Sequence, residues 1–393
     1  EAKALLVNQL WLNTRKGIPP VSRQANQALL DQVFAANPMH PAHHYRIHLW
    51  DKKGTAYRVV DSAIRSGQSA PRIAHMWHMG GHTFDKLTRY ADSAWQQEAS
   101  ARVDHAQMMR DQIMPFMIHN YAHNNEWLVR SLCRIGRVDD AIDLAMNMVE
   151  LPRHPEKNHL QRRGRSAAYG RDRLINTLSM FEQWEKVIEL AETMYLEPGK
   201  ALSDQAARIS ALGEANVALG KLDRAKENLQ ALRKLTESES QDKPEETEKP
   251  APDKKKSDKK KSGTRREIDK RVQILEALLS FNEGQHDKAT EKLTKARYSN
   301  LHLSRMYLET GNATKAEKAA RSAAKNKTNM ACETANLAFV LWACGKRDEA
   351  AKLFKDLRNA SARFDMNMPV FQRLAPIASS LDLPGDWCVS PRL

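Results

Sequence analysis

Histidine is the side chain through which this sequence has most chemistry to offer, and it is concentrated in one stretch. Of the 14 histidines in 393 residues, ten (His40, His43, His44, His48, His75, His78, His82, His105, His119 and His123) fall between positions 40 and 123. In HHYRIHLWD, His44 and His48 are four apart and Asp51 follows three later, so on a helix all three project from one face. Pro41, just ahead, suits the first turn of such a helix. In AHMWHMGGH, His75, His78 and His82 repeat the pattern at i, i+3 and i+7. The Gly80-Gly81 pair inside that run weakens a helix and is expected to end or kink it just before His82. In IHNYAHNNEW, His119 and His123 are four apart and Glu126 stands three beyond.

Convergent nitrogen and oxygen donors on rigid helices are what a metal centre requires. The candidate ligands are His44, His48, Asp51, His75, His78, His82, His123 and Glu126. Imidazole with carboxylate suits zinc, iron, manganese or copper. Met76, Met79, Met108, Met109, Met114 and Met117 place thioethers nearby, but methionine at helical spacing is ordinarily core and is assigned no ligand role. In a catalytic version, a metal-activated water would work with a His or with Glu126 as base. Two other readings stay open: histidines satisfied by hydrogen bonds in a core, and a metal-free acid–base or anion pocket. No HExxH, Gly-rich phosphate loop or GxSxG elbow occurs, so no substrate is named and enzyme status is left open.

The elements that must carry these residues are helices. Aromatic residues make up 6% of the chain, with 16 Gly and 16 Pro, fewer than a strand-rich fold wants. No run of apolar residues is long enough to span a membrane. Four scattered cysteines, Cys133, Cys332, Cys344 and Cys388, lack CxxC spacing and read as small core hydrophobes. The chain opens without Met, which suggests a processed or truncated N-terminus and leaves the compartment unread.

A Gly followed five residues later by Ala recurs at Gly136 and Ala141, Gly220 and Ala225, Gly284 and Ala289, Gly311 and Ala316, and Gly345 and Ala350. Two degenerate copies, TRYADS at 88–93 and EQWEKV at 182–187, keep the frame without the Gly. The physical reading is a helical hairpin whose Gly takes the left-handed conformation at the first helix's end and whose Ala sits where the backbones touch. The pattern resembles the tetratricopeptide repeat, and the step from Gly311 to Gly345 equals its 34-residue period. Other steps are longer or shorter, so the expected fold is all-α, an irregular tetratricopeptide-like α-solenoid of helical hairpins with a disordered charged insertion.

That insertion is placed at 237–267. Residues 237–252 carry a net charge of −4 with three prolines, and 253–266 a net charge of +6 out of the whole chain's +14. The expected organisation is then a His-rich region at 1–130 with degenerate repeats, repeats at 131–236 and 268–375 on either side of the insertion, and a tail at 376–393. The basic run Lys254 to Arg266 is a weak candidate for contact with nucleic acid or an anionic surface; it holds no aromatic to stack a base. The concave repeat face is the expected site for a protein or peptide partner.

HPAHHYRIHLWD, AHMWHMGGHTF and YAHNNEWL leading into CRIGRVDDAI, taken in order, resemble the signature of a bacterial family of tetratricopeptide repeat proteins. There the comparable segments read His-Pro, HYxIHxxE, GHLxHMPxHIY, and YxxHNxHFL before a GRxxEA turn. The resemblance puts the family's histidines and acidic residue on His44, His48, Asp51, His75, His78, His82 and His123. It departs at Gly80-Gly81, where the family has Pro and a small residue, and at Glu126, where it has a second His. It covers residues 38–142 and implies a shared His-lined pocket without naming a reaction. The rival function is a pure protein–protein adaptor with structural histidines, or one part of a larger multidomain enzyme whose catalytic domain lies outside this chain.

Overall fold

The structure is a computed structural model that describes residues 1–14, 16–241, 252–360 and 363–388. Every described element is helical apart from one isolated bridge between His154 and Asn158. Four helices open the chain: α1 (Ala2–Thr14), α2 (Arg23–Ala36), α3 (His43–Trp50) and α4 (Val60–Ser69). Seven hairpins follow. They are α5 (Ala74–Lys86) with α6 (Tyr90–Asp111), α7 (Tyr121–Arg134) with α8 (Val138–Glu150), α9 (Ser166–Met180) with α10 (Trp184–Leu190), and α11 (Leu202–Ala218) with α12 (Leu222–Gln241). Next come α13 (Pro252–Asn282) with α14 (His286–Lys295), α15 (Asn300–Glu309) with α16 (Ala313–Ala324), and α17 (Ala331–Ala343) with α18 (Arg347–Ala360). Two short helices, α19 (Pro369–Gln372) and α20 (Ala375–Ser380), end the described fold. Consecutive helices pack on one another, giving an irregular α-solenoid of hairpins.

Each hairpin turn contains one left-handed residue at the place the Gly–Ala frame gives it. Gly136, Gly220, Gly284, Gly311 and Gly345 have φ between 71° and 85°. In the two degenerate copies Thr88 (φ 60°) and Glu182 (φ 59°) hold the same position, at a backbone strain of about 1 kcal/mol that Gly avoids. Five residues on, Ala141, Ala225, Ala289, Ala316 and Ala350 are fully buried, and Ser93 and Val187 take that place in the degenerate copies. A larger side chain there would force the two helices of the hairpin apart.

The domain boundaries expected from sequence do not follow the packing. A boundary at 130/131 falls inside α7, and one continuous core runs from Tyr90 through Leu178 and Leu341 to Trp387. The segment expected to be a tail from 376 is built into that core: Trp387 is 1% exposed and meets Phe354, Phe364 and Phe371. Its anchor is Gly136, whose carbonyl accepts from the Asp365 backbone N–H, while Asp365 Oδ2 accepts from the Asp139 N–H at the start of α8. The charged insertion placed at 237–267 is helical at both described margins, since α12 continues through Gln241 and α13 begins at Pro252. Each margin prolongs a helix already anchored by buried Leu232 or Ile268, and Lys and Glu are good helix formers. Residues 242–251 lie outside the described residues. No described helix is long and apolar enough to cross a membrane.

Candidate metal centre

The histidines are positioned by α3, α5 and α7, with α5 in the middle: α3 and α7 both pack on it. The helix α5 does not end or kink at Gly80-Gly81 as expected; it continues to Lys86. The reason is tertiary. A Cβ on Gly80 would lie 2.6 Å from the Ala63 carbonyl of α4, and one on Gly81 would lie 2.2 Å from Gln97 Nε2 of α6. The glycines thus let α5 sink between its neighbours, which outweighs their low helix propensity. Serines complete the wedge. Ser66 Oγ donates to the Met76 carbonyl, Ser100 Oγ to Ala74 and Ser93 Oγ to Gly81, so three carbonyls of α5 are held from α4 and α6.

Six imidazoles converge on this frame, in two triads. His44, His48 and His75 form one and His78, His82 and His123 the other; within each, one ligand atom per residue lies within 4.8 Å of the others. Either triad can hold a metal ion. They adjoin, because the His75 and His78 rings are one turn apart on α5 with centroids separated by 5.8 Å. Within the triads the ring centroids of His44 and His75 are 5.0 Å apart, and those of His78 and His123 are 4.8 Å apart.

The surroundings orient these rings. Gln97 Oε1 accepts from His78 Nδ1 at 2.6 Å, and Gln97 Nε2 donates to the His78 carbonyl, which fixes the amide's orientation. A carboxamide oxygen only accepts, so His78 carries its proton on Nδ1 and presents the Nε2 lone pair to the cluster. His82 Nε2 lies 2.7 Å from that atom. In the first triad His48 Nε2 lies 3.0 Å from His44 Nε2, and Asn120 Nδ2 is 3.2 Å from His75 Nδ1. Indoles wall both ends: Trp11 stacks on His48 with centroids 4.3 Å apart, and Trp127 lies 4.0 Å from His82.

Five of the six imidazoles are held below the ordinary histidine range. Burial, then His48 and His75, pushes His44 down to about 3. Burial and His123 do the same to His78, also to about 3, against the opposing hydrogen bond to Gln97. Burial, then His78 and Lys86, takes His82 to about 2. Burial also lowers His75, and it lowers His123 against the nearby charge of Glu126. At neutral pH these rings are uncharged, so each carries one lone pair that a cation would compete for with the hydrogen bonds just described.

Neither predicted carboxylate joins them. Asp51 forms an ion pair with Lys86 at the end of α5, and Glu126 pairs with Arg173 of α9. Each has a cation close enough to hold it, so the two triads consist of histidines alone. The other histidines have different work. His43 is fully buried, bonded to Ser62 Oγ and the Pro38 carbonyl and stacked on Phe34, and so is structural. Gln97, Asn120, Trp11 and Trp127 were missed from sequence. Gln97, Asn120 and Trp11 reach the cluster from outside α3, α5 and α7, where no spacing rule marks them; Trp127, four residues after His123 on α7, could have been read from helical spacing.

Nothing among the described residues supports a concave face that takes a peptide, and the repeats make contacts of their own. Glu182 accepts from both Arg373 guanidinium nitrogens and pairs with Arg305 at 3.1 Å, and α17 packs on α7. Of the basic run, residues 254–262 have no described side chains, and Arg265 pairs with Asp269 at 3.9 Å; nothing there supports a nucleic-acid contact. The four cysteines are free, with Cys332 buried and the rest partly so.

No protein-family model and no curated protein matches the chain. Among solved structures it is similar to a chain in the one described as "Structure of Naa15/Naa10 bound to HypK-THB", at 12% sequence identity. The likeness covers 98% of this chain and 72% of that chain with a TM-score of 0.23, and the fold rests on the helices described above rather than on it.

Proposed function

We propose that the protein is a helical-repeat scaffold whose N-terminal third binds transition-metal ions at a six-histidine centre, and that it belongs with the His-rich tetratricopeptide proteins its motifs resemble. One observation carries the metal reading: six imidazoles from three helices converge in two triads, in each of which one ligand atom per residue lies within 4.8 Å of the others. The imidazoles are hydrogen-bonded in pairs, His44 with His48 and His78 with His82, and a cation that took their lone pairs would join three donors at once where a proton joins two. Gln97 supports the same reading, since it is placed as the outer partner that fixes a ligating histidine's tautomer. The histidines bind and orient the ion, the indoles limit water, and the ion supplies Lewis-acid or redox chemistry.

The test is elemental analysis of the purified chain, before and after incubation with zinc, copper, iron or manganese salts and removal of excess. Stoichiometric metal that His78→Ala and His48→Ala reduce supports the centre. A chain that stays metal-free under every salt, with thermal stability unchanged by any of them, sinks it and leaves an adaptor with structural histidines.

A further inference from the structure

We infer that the two triads form one dinuclear copper centre with a position between the ions for a small bridging anion; this rests on the metal reading above. Three features lead there. The first is contiguity. The string His48, His44, His75, His78, His82 has neighbouring ring centroids 4.6, 5.0, 5.8 and 4.5 Å apart, with His123 closing on His78 at 4.8 Å. Ions in the two triads would be neighbours across the His75–His78 contact on a single helix.

The second feature is charge. The six imidazoles contribute no negative charge, and His123 feels Glu126 on one side and Arg130 on the other. The nearby carboxylates are neutralised by Lys86 and Arg173. Two adjacent divalent ions in such a half-buried setting repel strongly unless an anion lies between them or the metal can fall to a single charge. Copper can do both. Imidazole is among its preferred donors, and it outcompetes other divalent ions of its row at nitrogen sites. Zinc has no second oxidation state, and iron and manganese favour sites that include a carboxylate.

The third feature is coordination number. Each triad supplies three protein donors, which leaves a further position on each ion. Because the triads adjoin through His75 and His78, a hydroxide or another small anion shared by the two ions would complete both and offset their charge.

The experiment loads the full-length chain with Cu(II) and compares copper per chain, by elemental analysis, with the integrated electron paramagnetic resonance signal, with and without azide as the bridging probe. Two copper ions per chain with a signal several-fold below that of two isolated ions are expected, together with a new absorption band on adding azide. In His44→Gln, a substitution at a partly exposed position, and separately in His82→Gln, copper should fall toward one per chain and the signal should rise to that of one isolated ion. Circular dichroism and thermal unfolding confirm that both variants are folded. Two ions with the full signal of two isolated centres overturn the dinuclear inference and leave the metal reading standing, as does a single ion per chain. No copper bound overturns the inference, and if zinc, iron and manganese also fail to bind, the metal reading falls with it.

Discussion

His78 and His302 are held in the same way and surrounded differently. Burial lowers each to about 3, the first on α5 and the second on α15. Around His302 the neighbours are Tyr298, whose hydroxyl bonds its Nδ1 at 3.0 Å, the Trp184 ring, and the charges of Arg305 and Glu182. Around His78 the neighbours are other imidazoles. Beside His302, buried charge is balanced within the protein: Glu182 is pushed up by burial but held low overall by Arg373 and Arg305. In the N-terminal third the imidazoles have chiefly one another as polar partners. A depressed histidine therefore marks burial, and the chemistry of its neighbours separates a packing role from a binding one.

The sharpest break of that comparison is Glu182→Gln. It leaves Arg305 and Arg373 beside a buried neutral amide, and removing one member of such a pair costs about 3–5 kcal/mol. Denaturant unfolding should register that loss while bound metal per chain stays unchanged. A simultaneous loss of metal would show that the two regions are coupled.

Gly81→Ala tests the other side. Its new Cβ would overlap Gln97 Nε2, so overpacking of about 1–3 kcal/mol is expected. Displacing the group that orients His78 should weaken metal binding by about 10–100-fold, read by competition with a chelator. Intact affinity would remove Gln97 from the site.

Acid sharpens the comparison further. The folded His78 stays neutral down to about 3, whereas the unfolded chain takes up that proton below about 6.5. Stability of the metal-free protein should be complete above 6.5 and decline as pH falls toward 3, by at most ~1.4 kcal/mol per pH unit from this residue. His302 pulls in the same direction. Denaturant midpoints at several pH values for the parent chain and His78→Gln should differ in slope by that one proton; equal slopes refute the burial argument. The smallest effect is expected of Asp51→Ala. Its ion pair with Lys86 lies outside the triads, so stability should change by no more than about 1 kcal/mol and metal content not at all.

Much of the frame was legible because it is written in short-range spacing. The Gly–Ala interval of five gave all seven hairpin turns, including those at Thr88 and Glu182 where Gly is absent. The helical intervals of three, four and seven placed His44 with His48, and His75 with His78 and His82, on common stripes. The interval that misled was Gly80-Gly81, because a helix propensity describes an isolated helix and α4 and α6 were not in view.

The sequence by itself determined that these helices form, where they turn back, and which face of each carries imidazole, since backbone sterics and helical periodicity act over a few residues. Only the tertiary structure decided that α5 divides its histidines between two triads, that Asp51 and Glu126 leave for Lys86 and Arg173, and that Gln97 fixes the His78 proton. Those choices depend on which side chains meet across separate helices, and the packing of α3, α6 and α7 on α5 and of α9 on α7 is set by core contacts that no local interval encodes.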